Sequence, residues 1–272
     1  MPEGPEIRRA ADRLARAMEG ERAIKITFAQ TPLKRHQKAL KNQRIVRIRP
    51  RGKALLTQFD NGLTIYSHNQ LYGRWVVTEP GVRPDTRREL RIAIESKRKA
   101  ILLYSASDIA VLDEAGLLAH PFLAKLGPDL LDEDTTVPMV IARLEDPRLS
   151  NKHLASVLLD QSFIAGIGNY LRSEILFSAG LLPSRKPRDL SAEERQRLAE
   201  SILEVGRVAY RRAGVTNDWQ RVQRLKTEGL SFEARRFNVF DREGLPCWTC
   251  GEPIQRAETG GRRVYICPVC QH

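Results

Sequence analysis

The sequence predicts an α+β chain of more than one domain: an N-terminal β-sandwich with a leading helix, a C-terminal helical domain, and a small closing hairpin braced by cysteines. Three observations carry this prediction. Apolar residues alternate in short runs up to about residue 112; past an acidic, proline-punctuated stretch their period becomes helical; and all four cysteines lie between Cys247 and Cys270.

The leading helix covers residues 5–18, where Ile7, Ala10, Ala11, Leu14 and Met18 recur at helical spacing and Gly20 supplies the stop. Strand-forming runs follow at 23–28, 44–49, 54–59 and 63–67, the last two joined by Asp60-Asn61-Gly62, a strong hairpin signal. Runs at 91–94 and 100–104 extend the β-rich domain, taken as residues 1–126. Residues 127–137, with Gly127-Pro128-Asp129 and Asp132-Glu133-Asp134, read as an interdomain linker. In the helical domain, residues 138–237, helices at 154–163 and 170–177 flank the turn Ala165-Gly166-Ile167-Gly168-Asn169, with Asn169 as a good N-cap. Ser191 and Glu194 form a capping box that opens a long helix ending near Gly214. Residues 215–237 are basic and without clear period, which predicts a mobile or partner-ordered loop. Residues 238–272 hold the cysteine hairpin.

Charge narrows the partner. The 272 residues include 45 Lys and Arg against 33 Asp and Glu, a net charge of +12. The partner is therefore an anion: nucleic acid, a membrane surface or an acidic protein. No run approaches the roughly 18 apolar residues of a spanning helix, and no signal segment opens the chain, so the reading is a soluble intracellular protein.

Cys247-x2-Cys250 and Cys267-x2-Cys270, sixteen residues apart, have the spacing of two knuckles closing on one tetrahedral zinc ion. Four sulfurs leave no open position, so this single zinc is expected to be structural, with His272 a solvated terminus. Arg256, Arg262 and Arg263 decorate the hairpin, as a solvated surface or as a phosphate contact. The Gly166–Asn169 turn opens a helix whose first amides suit a phosphate, although a glycine-rich turn between helices needs no ligand.

The N-terminus offers a nucleophile. With Met1 removed, Pro2 presents a secondary amine followed directly by Glu3. Such an amine condenses with an aldehyde-like carbon to a cationic iminium, and a neighbouring carboxyl can move the proton. Glu3 and Glu6 equally suit a helix N-terminus, with no catalytic role at all.

These features occur with longer blocks. The opening Met1-Pro2-Glu3-Gly4-Pro5-Glu6, Arg51-Gly52-Lys53-Ala54-Leu55-Leu56, Tyr66-Ser67-His68-Asn69-Gln70-Leu71-Tyr72-Gly73, His120-Pro121-Phe122-Leu123, Gly168-Asn169-Tyr170-Leu171-Arg172 and Cys267-Pro268-Val269-Cys270-Gln271-His272 span nearly the whole chain. Together they resemble the endonuclease VIII branch of the formamidopyrimidine-DNA glycosylase family. The resemblance implies a helix-two-turn-helix in the second domain and a zinc finger at the end. It also implies a bifunctional DNA glycosylase and abasic-site lyase of base excision repair, removing mainly oxidised pyrimidines from double-stranded DNA. A monomer is expected, cytoplasmic and associated with the bacterial nucleoid, with no membrane partner.

Residue by residue, the resemblance implies Pro2 as the Schiff-base nucleophile and Glu3 as the proton donor that opens the sugar. Lys53 is implied as a phosphate-binding group in β-elimination, and Arg262 as its counterpart in δ-elimination. Gln70, Leu71 and Tyr72 match the wedge that fills the gap left by a flipped nucleotide, and Asn169 matches a phosphate contact. Lys125 stands where the family's arginine is expected, keeping the charge but losing the bidentate fork. Residues 215–237 match poorly, which leaves lesion preference open. Two other readings fit the residues: a zinc-dependent DNA binder without catalysis, and an oxidised-purine glycosylase of the same fold.

Overall fold

The computed structural model describes residues 2–272 and divides into two units, meeting in sequence between Lys125 and Leu126. The first unit opens with α1 (Gly4–Met18), whose Ile7, Ala11, Leu14 and Met18 are all buried, the single apolar row of an amphipathic helix. Gly20, at φ +82°, ends it in the left-handed conformation that glycine adopts without strain. There follow β1 (Lys25–Phe28), the single-turn helices α2 (Thr31–Lys34) and α3 (Gln37–Leu40), β2 (Ile45–Arg51), β3 (Ala54–Phe59), β4 (Thr64–His68), β5 (Arg74–Thr78), β6 (Leu90–Glu95), β7 (Ala100–Tyr104), β8 (Asp108–Leu112) and the short α4 (Glu114–Ala119).

These strands form two antiparallel four-stranded sheets, ordered β1-β6-β7-β5 and β2-β3-β4-β8. Ile92, Ile94, Ile101 and Leu103 of one sheet meet Ile45, Ile48, Leu55, Phe59 and Ile65 of the other, with α1 contributing to the same core. The unit is the expected sandwich with a leading helix. The β3–β4 turn falls at Asp60-Asn61-Gly62, where Phe59 N–H donates to the Leu63 carbonyl at 2.9 Å. The sequence pattern did not mark β5 or β8. Both are edge strands, only partly buried along most of their length, so neither displays the alternation that marks a strand with one dry face.

The second unit contains α5 (Val137–Leu144), α6 (Leu154–Val157), α7 (Asn169–Ala179), α8 (Ala192–Arg211), α9 (Trp219–Thr227) and α10 (Phe232–Arg235), then a hairpin of β9 (Gln255–Thr259) and β10 (Arg262–Ile266). Val140, Leu144, Ile175, Leu176, Leu198 and Ile202 form the centre of its core. The Ser191–Glu194 capping box opens α8 as expected.

Several expectations change here. Residues 127–137 are packed into the second unit rather than spanning between units: Leu130 is buried in its core, and a Cβ at Gly127 would meet the Ser162 carbonyl oxygen at 2.3 Å. The helix beginning at Leu154 ends at Val157, because the Asp160 carboxylate accepts from Ser162 N–H at 3.0 Å and turns the backbone away. Asn169 is the first residue inside α7, and Gly168 is the N-cap. Residues 215–237, expected as a loop, contain α9 and the single-turn α10: Asp218 caps α9 by accepting from Arg221 N–H at 2.8 Å, and α9 buries only Val222 and Leu225. Two buried positions three apart are too few to display a period. Among the described residues, no helix is long and apolar enough to cross a membrane.

Candidate active site and nucleic-acid interface

Glu3 is the N-cap of α1 and is 2% exposed. Its N–H donates to the Glu6 carboxylate at 2.9 Å, and the two residues close a reciprocal capping box. The helix terminus therefore immobilises a carboxyl group one residue from the half-buried Pro2. Met1, whose removal the sequence expects, lies outside the described residues.

Lys53 sits in the turn between β2 and β3, which Gly52 makes possible at φ +59°. It is 6% exposed, an unusual state for a lysine. The ladder pairs Ala54 with His68 and His68 with Asp108, bringing an imidazole and a carboxylate to the same end of the sheet. Tyr66 donates its hydroxyl to Asp108 Oδ2 at 3.1 Å, and burial pushes the phenol's pKa up, so it remains a donor. Burial draws the His68 pKa down; Lys53 acts in the same direction and Asp108 against it. The neutral imidazole accepts from Gln70 N–H through Nδ1 at 3.0 Å.

That bond starts the β4–β5 turn that carries Gln70, Leu71 and Tyr72. Leu71 is 61% exposed and Tyr72 67%, so two large apolar side chains stand in solvent side by side. The turn is rigid at its base: Gly73 N–H donates to the Asn69 carbonyl at 2.7 Å, and a Cβ at Gly73 would meet that oxygen at 2.6 Å. Lys125 is exposed, on the 3-10 turn Leu123–Lys125.

In the second unit, the fully buried Arg172 on α7 unites two predicted phosphate contacts. Its guanidinium donates to Asn169 Oδ1 and to the Arg263 carbonyl, each at 2.7 Å, and to the Ala155 carbonyl at 3.3 Å. Asn169 and the strand bearing Arg262 are thus joined through one side chain. Arg262 itself is exposed and lines a cavity of about 280 Å³ together with Arg172, Asp160 and Thr259. Gln161 ties the turn before α7, donating to the Leu159 and Ile167 carbonyls at 2.9 Å and accepting from Gly166 N–H at 3.1 Å.

Cys247, Cys250, Cys267 and Cys270 place their sulfurs within 4.8 Å of one another. Cys250 and Cys267 are 3.4 Å apart, Cys247 and Cys270 3.9 Å. A tetrahedral ion with metal–sulfur bonds of about 2.3 Å would set sulfurs about 3.8 Å apart, so the cluster fits one metal ion. Backbone N–H groups of Thr249 and Cys270 each donate to a sulfur at 3.4 Å, which favours the thiolate form that a metal requires.

Two family models match. One, the formamidopyrimidine-DNA glycosylase N-terminal domain, covers residues 1–106; the other, the formamidopyrimidine-DNA glycosylase H2TH domain, covers residues 126–220. Proteins named Endonuclease 8 are similar along their entire length: one from Escherichia coli is 47% identical over 272 residues, and one from Enterobacter sp. (strain 638) is 48% identical over 271, each comparison covering 100% of both chains. The chain belongs to the formamidopyrimidine-DNA glycosylase family. It is therefore a base excision repair enzyme, a DNA glycosylase with abasic-site lyase activity, which sets aside the non-catalytic DNA binder. Solved structures agree in fold. The Lactococcus lactis glycosylase in complex with DNA containing an oxidised pyrimidine gives a TM-score of 0.81 at 22% identity, and the same protein bound to DNA containing an abasic site gives 0.80 at 22%, each over 99% of both chains.

Within this glycosylase, sequence reasoning passed over three residues. His68 lies inside a matched block, but only the strand register shows that it stands between the Lys53 end of β3 and Asp108 on β8. Glu174 gives no signal in sequence. It is almost fully buried, and its carboxylate accepts from Asn238 N–H at 2.9 Å, Val239 N–H at 2.8 Å, Phe240 N–H at 3.0 Å, Asn238 Nδ2 at 3.0 Å and Thr216 Oγ1 at 2.6 Å. Arg242 lies beside it, stacked 3.8 Å over Trp248 and donating to the Asn238 and Pro246 carbonyls at 2.6 and 2.9 Å. Burial lowers its pKa to about 10, against the pull of Glu174, which leaves it a cation at neutral pH.

Proposed function

We propose that this glycosylase removes oxidised bases, mainly pyrimidines, from double-stranded DNA through a Schiff base at Pro2 and then cuts the strand by β,δ-elimination. Glu3 carries the reading: a buried carboxyl, fixed by a helix cap, adjacent in sequence to Pro2, whose nitrogen becomes a free secondary amine once Met1 is removed. With Met1 removed, the Pro2 nitrogen attacks the sugar C1′ and the bond to the damaged base breaks, the base leaving with its electron pair and taking up the proton that the nitrogen sheds. Glu3 protonates the ring oxygen, the sugar opens, and the nitrogen–C1′ bond becomes an iminium. A base removes a C2′ proton, whose electron pair passes to the iminium, and the resulting enamine expels the 3′ phosphate; loss of the C4′ proton along the conjugated iminium then expels the 5′ phosphate. Water then releases the Pro2 amine.

Lys53, buried beside His68, holds a phosphate and serves the first elimination; Arg262 serves the second. Asn169 contacts the backbone through a helix terminus, Lys125 adds a phosphate contact, and Gln70, Leu71 and Tyr72 fill the gap left by the extruded nucleotide. Residues 1–126 form the catalytic domain, 138–237 the DNA-binding domain, and 238–272 a finger in which Cys247, Cys250, Cys267 and Cys270 hold one structural zinc. The enzyme acts as a monomer in the bacterial cytoplasm.

The test is reductive trapping. A duplex carrying thymine glycol is incubated with the enzyme and borohydride, and the cross-linked peptide is located by mass spectrometry. A covalent adduct at Pro2 is expected; binding with no adduct and no strand cleavage, beside a working control enzyme, overturns the reading.

A further inference from the structure

The wedge turn is held from outside by a residue with no assigned role. Strands β4 and β8 pair so that His68 faces Asp108, and the loop before β8 therefore reaches the turn after β4. There, Ser107 Oγ donates to Gln70 Oε1 at 2.8 Å. Ser107 is itself anchored: Gln30 Nε2 donates to its carbonyl at 2.9 Å, and Ser105, at φ +54°, sends the chain back from β7 with its N–H on the Glu89 carbonyl at 2.8 Å. Gln70 adopts φ +49°, a conformation that a residue with a side chain rarely takes. It is kept there by the His68 imidazole on its N–H. Backbone and side chain of Gln70 are thus restrained independently, before any DNA is bound.

We propose that Ser107 is a positioning residue that sets the orientation of the Gln70 carboxamide, and so determines which base the enzyme tolerates opposite the lesion. The inference rests on the wedge reading of Gln70 given above. A carboxamide is nearly symmetrical in shape but has two donors on one side and acceptors on the other. With the Ser107 hydroxyl on Oε1, the N–H groups are the part left to read the unpaired base in the opposite strand, favouring a base edge that presents acceptors. Without that hydroxyl the amide can turn over, presenting oxygen as readily as nitrogen, and discrimination falls.

The experiment compares wild type, Ser107→Ala and Ser107→Thr. Single-turnover cleavage is measured on duplexes with thymine glycol opposite each of the four bases, and borohydride trapping on a single-stranded abasic oligonucleotide, which has no opposite base. Ser107→Ala is expected to narrow the ratio of fastest to slowest duplex by roughly fivefold, about the worth of one hydrogen bond. Threonine, which keeps the hydroxyl, restores the ratio, and trapping on the single strand is equal for all three. An unchanged ratio in Ser107→Ala, or an equal loss on single strand and duplex, overturns the proposal. Failure of the wild type to trap at all would overturn the proposed chemistry instead.

Discussion

Replacing Arg172 by methionine removes the guanidinium while keeping an unbranched side chain of similar reach. The Asn169 carboxamide and the Arg263 carbonyl then lose donors at 2.7 Å, and the Ala155 carbonyl loses one at 3.3 Å. A buried acceptor stripped of its partner costs about 1–3 kcal/mol. The bond to the Ala155 carbonyl and a longer one to the Arg262 carbonyl at 3.5 Å contribute least, and the variant's native state no longer bears the desolvation of a buried cation, so the net loss comes to about 2–4 kcal/mol. In a unit of this size each kcal/mol moves the midpoint by about 2–4 °C, which gives a fall in Tm of roughly 5–15 °C by calorimetry. The same change should weaken binding to an abasic duplex by about tenfold, the equivalent of one lost charge-assisted contact, because Asn169 and the Arg262 strand lose their shared anchor. Arg172→Lys, with a point charge in place of the fork, should fall between. A Met variant that melts and binds like the wild type would refute the claim that this side chain holds the two contacts in register.

Glu174→Gln keeps shape but turns one acceptor oxygen into a donor facing N–H groups; a loss of about 3–5 kcal/mol is expected in urea denaturation, and a loss below about 1 kcal/mol would refute the network reading. For His68 the folded pKa lies below the ordinary value of 6.5, so the unfolded chain takes up its proton first as pH falls. Stability from this group is complete above about 6.5, declines as pH drops below it, and levels off once the folded imidazole is protonated and the Gln70 N–H has lost its acceptor. A histidine NMR titration should show this, and a His68 pKa at or above 6.5 would contradict it. If the four cysteines hold an ion, treatment with a chelator should lower the melting temperature and weaken DNA binding, with metal release read by a colorimetric indicator; a chelated protein with native melting and native affinity would show that the hairpin needs no ion.

Much of the architecture is legible because it follows from local patterns. The Ile7–Met18 row, the Asp60-Asn61-Gly62 turn and the two Cys-x-x-Cys pairs each state their structure within a few residues, and the family blocks name the candidate site. The illegible parts are those whose stability comes from elsewhere in the chain. β5 and β8 exist because β7 and β4 offer them a ladder; α9 forms because Asp218 caps it and two side chains find the core; Leu130 turns a linker-like segment into packed structure.

The candidate site divides in the same way. By itself the sequence determined which chemical groups are present: a proline beside a carboxyl next to Met1, four thiols at metal spacing, a Gln-Leu-Tyr run and a surplus of cations. Only the tertiary structure decided their company. Lys53 lies beside His68, Ser107 holds Gln70, and Arg172 joins Asn169 to the backbone of Arg263, 91 residues beyond Arg172 in sequence. Such pairings arise from strand register and helix packing, which depend on contacts distant in sequence, so no local spacing encodes them.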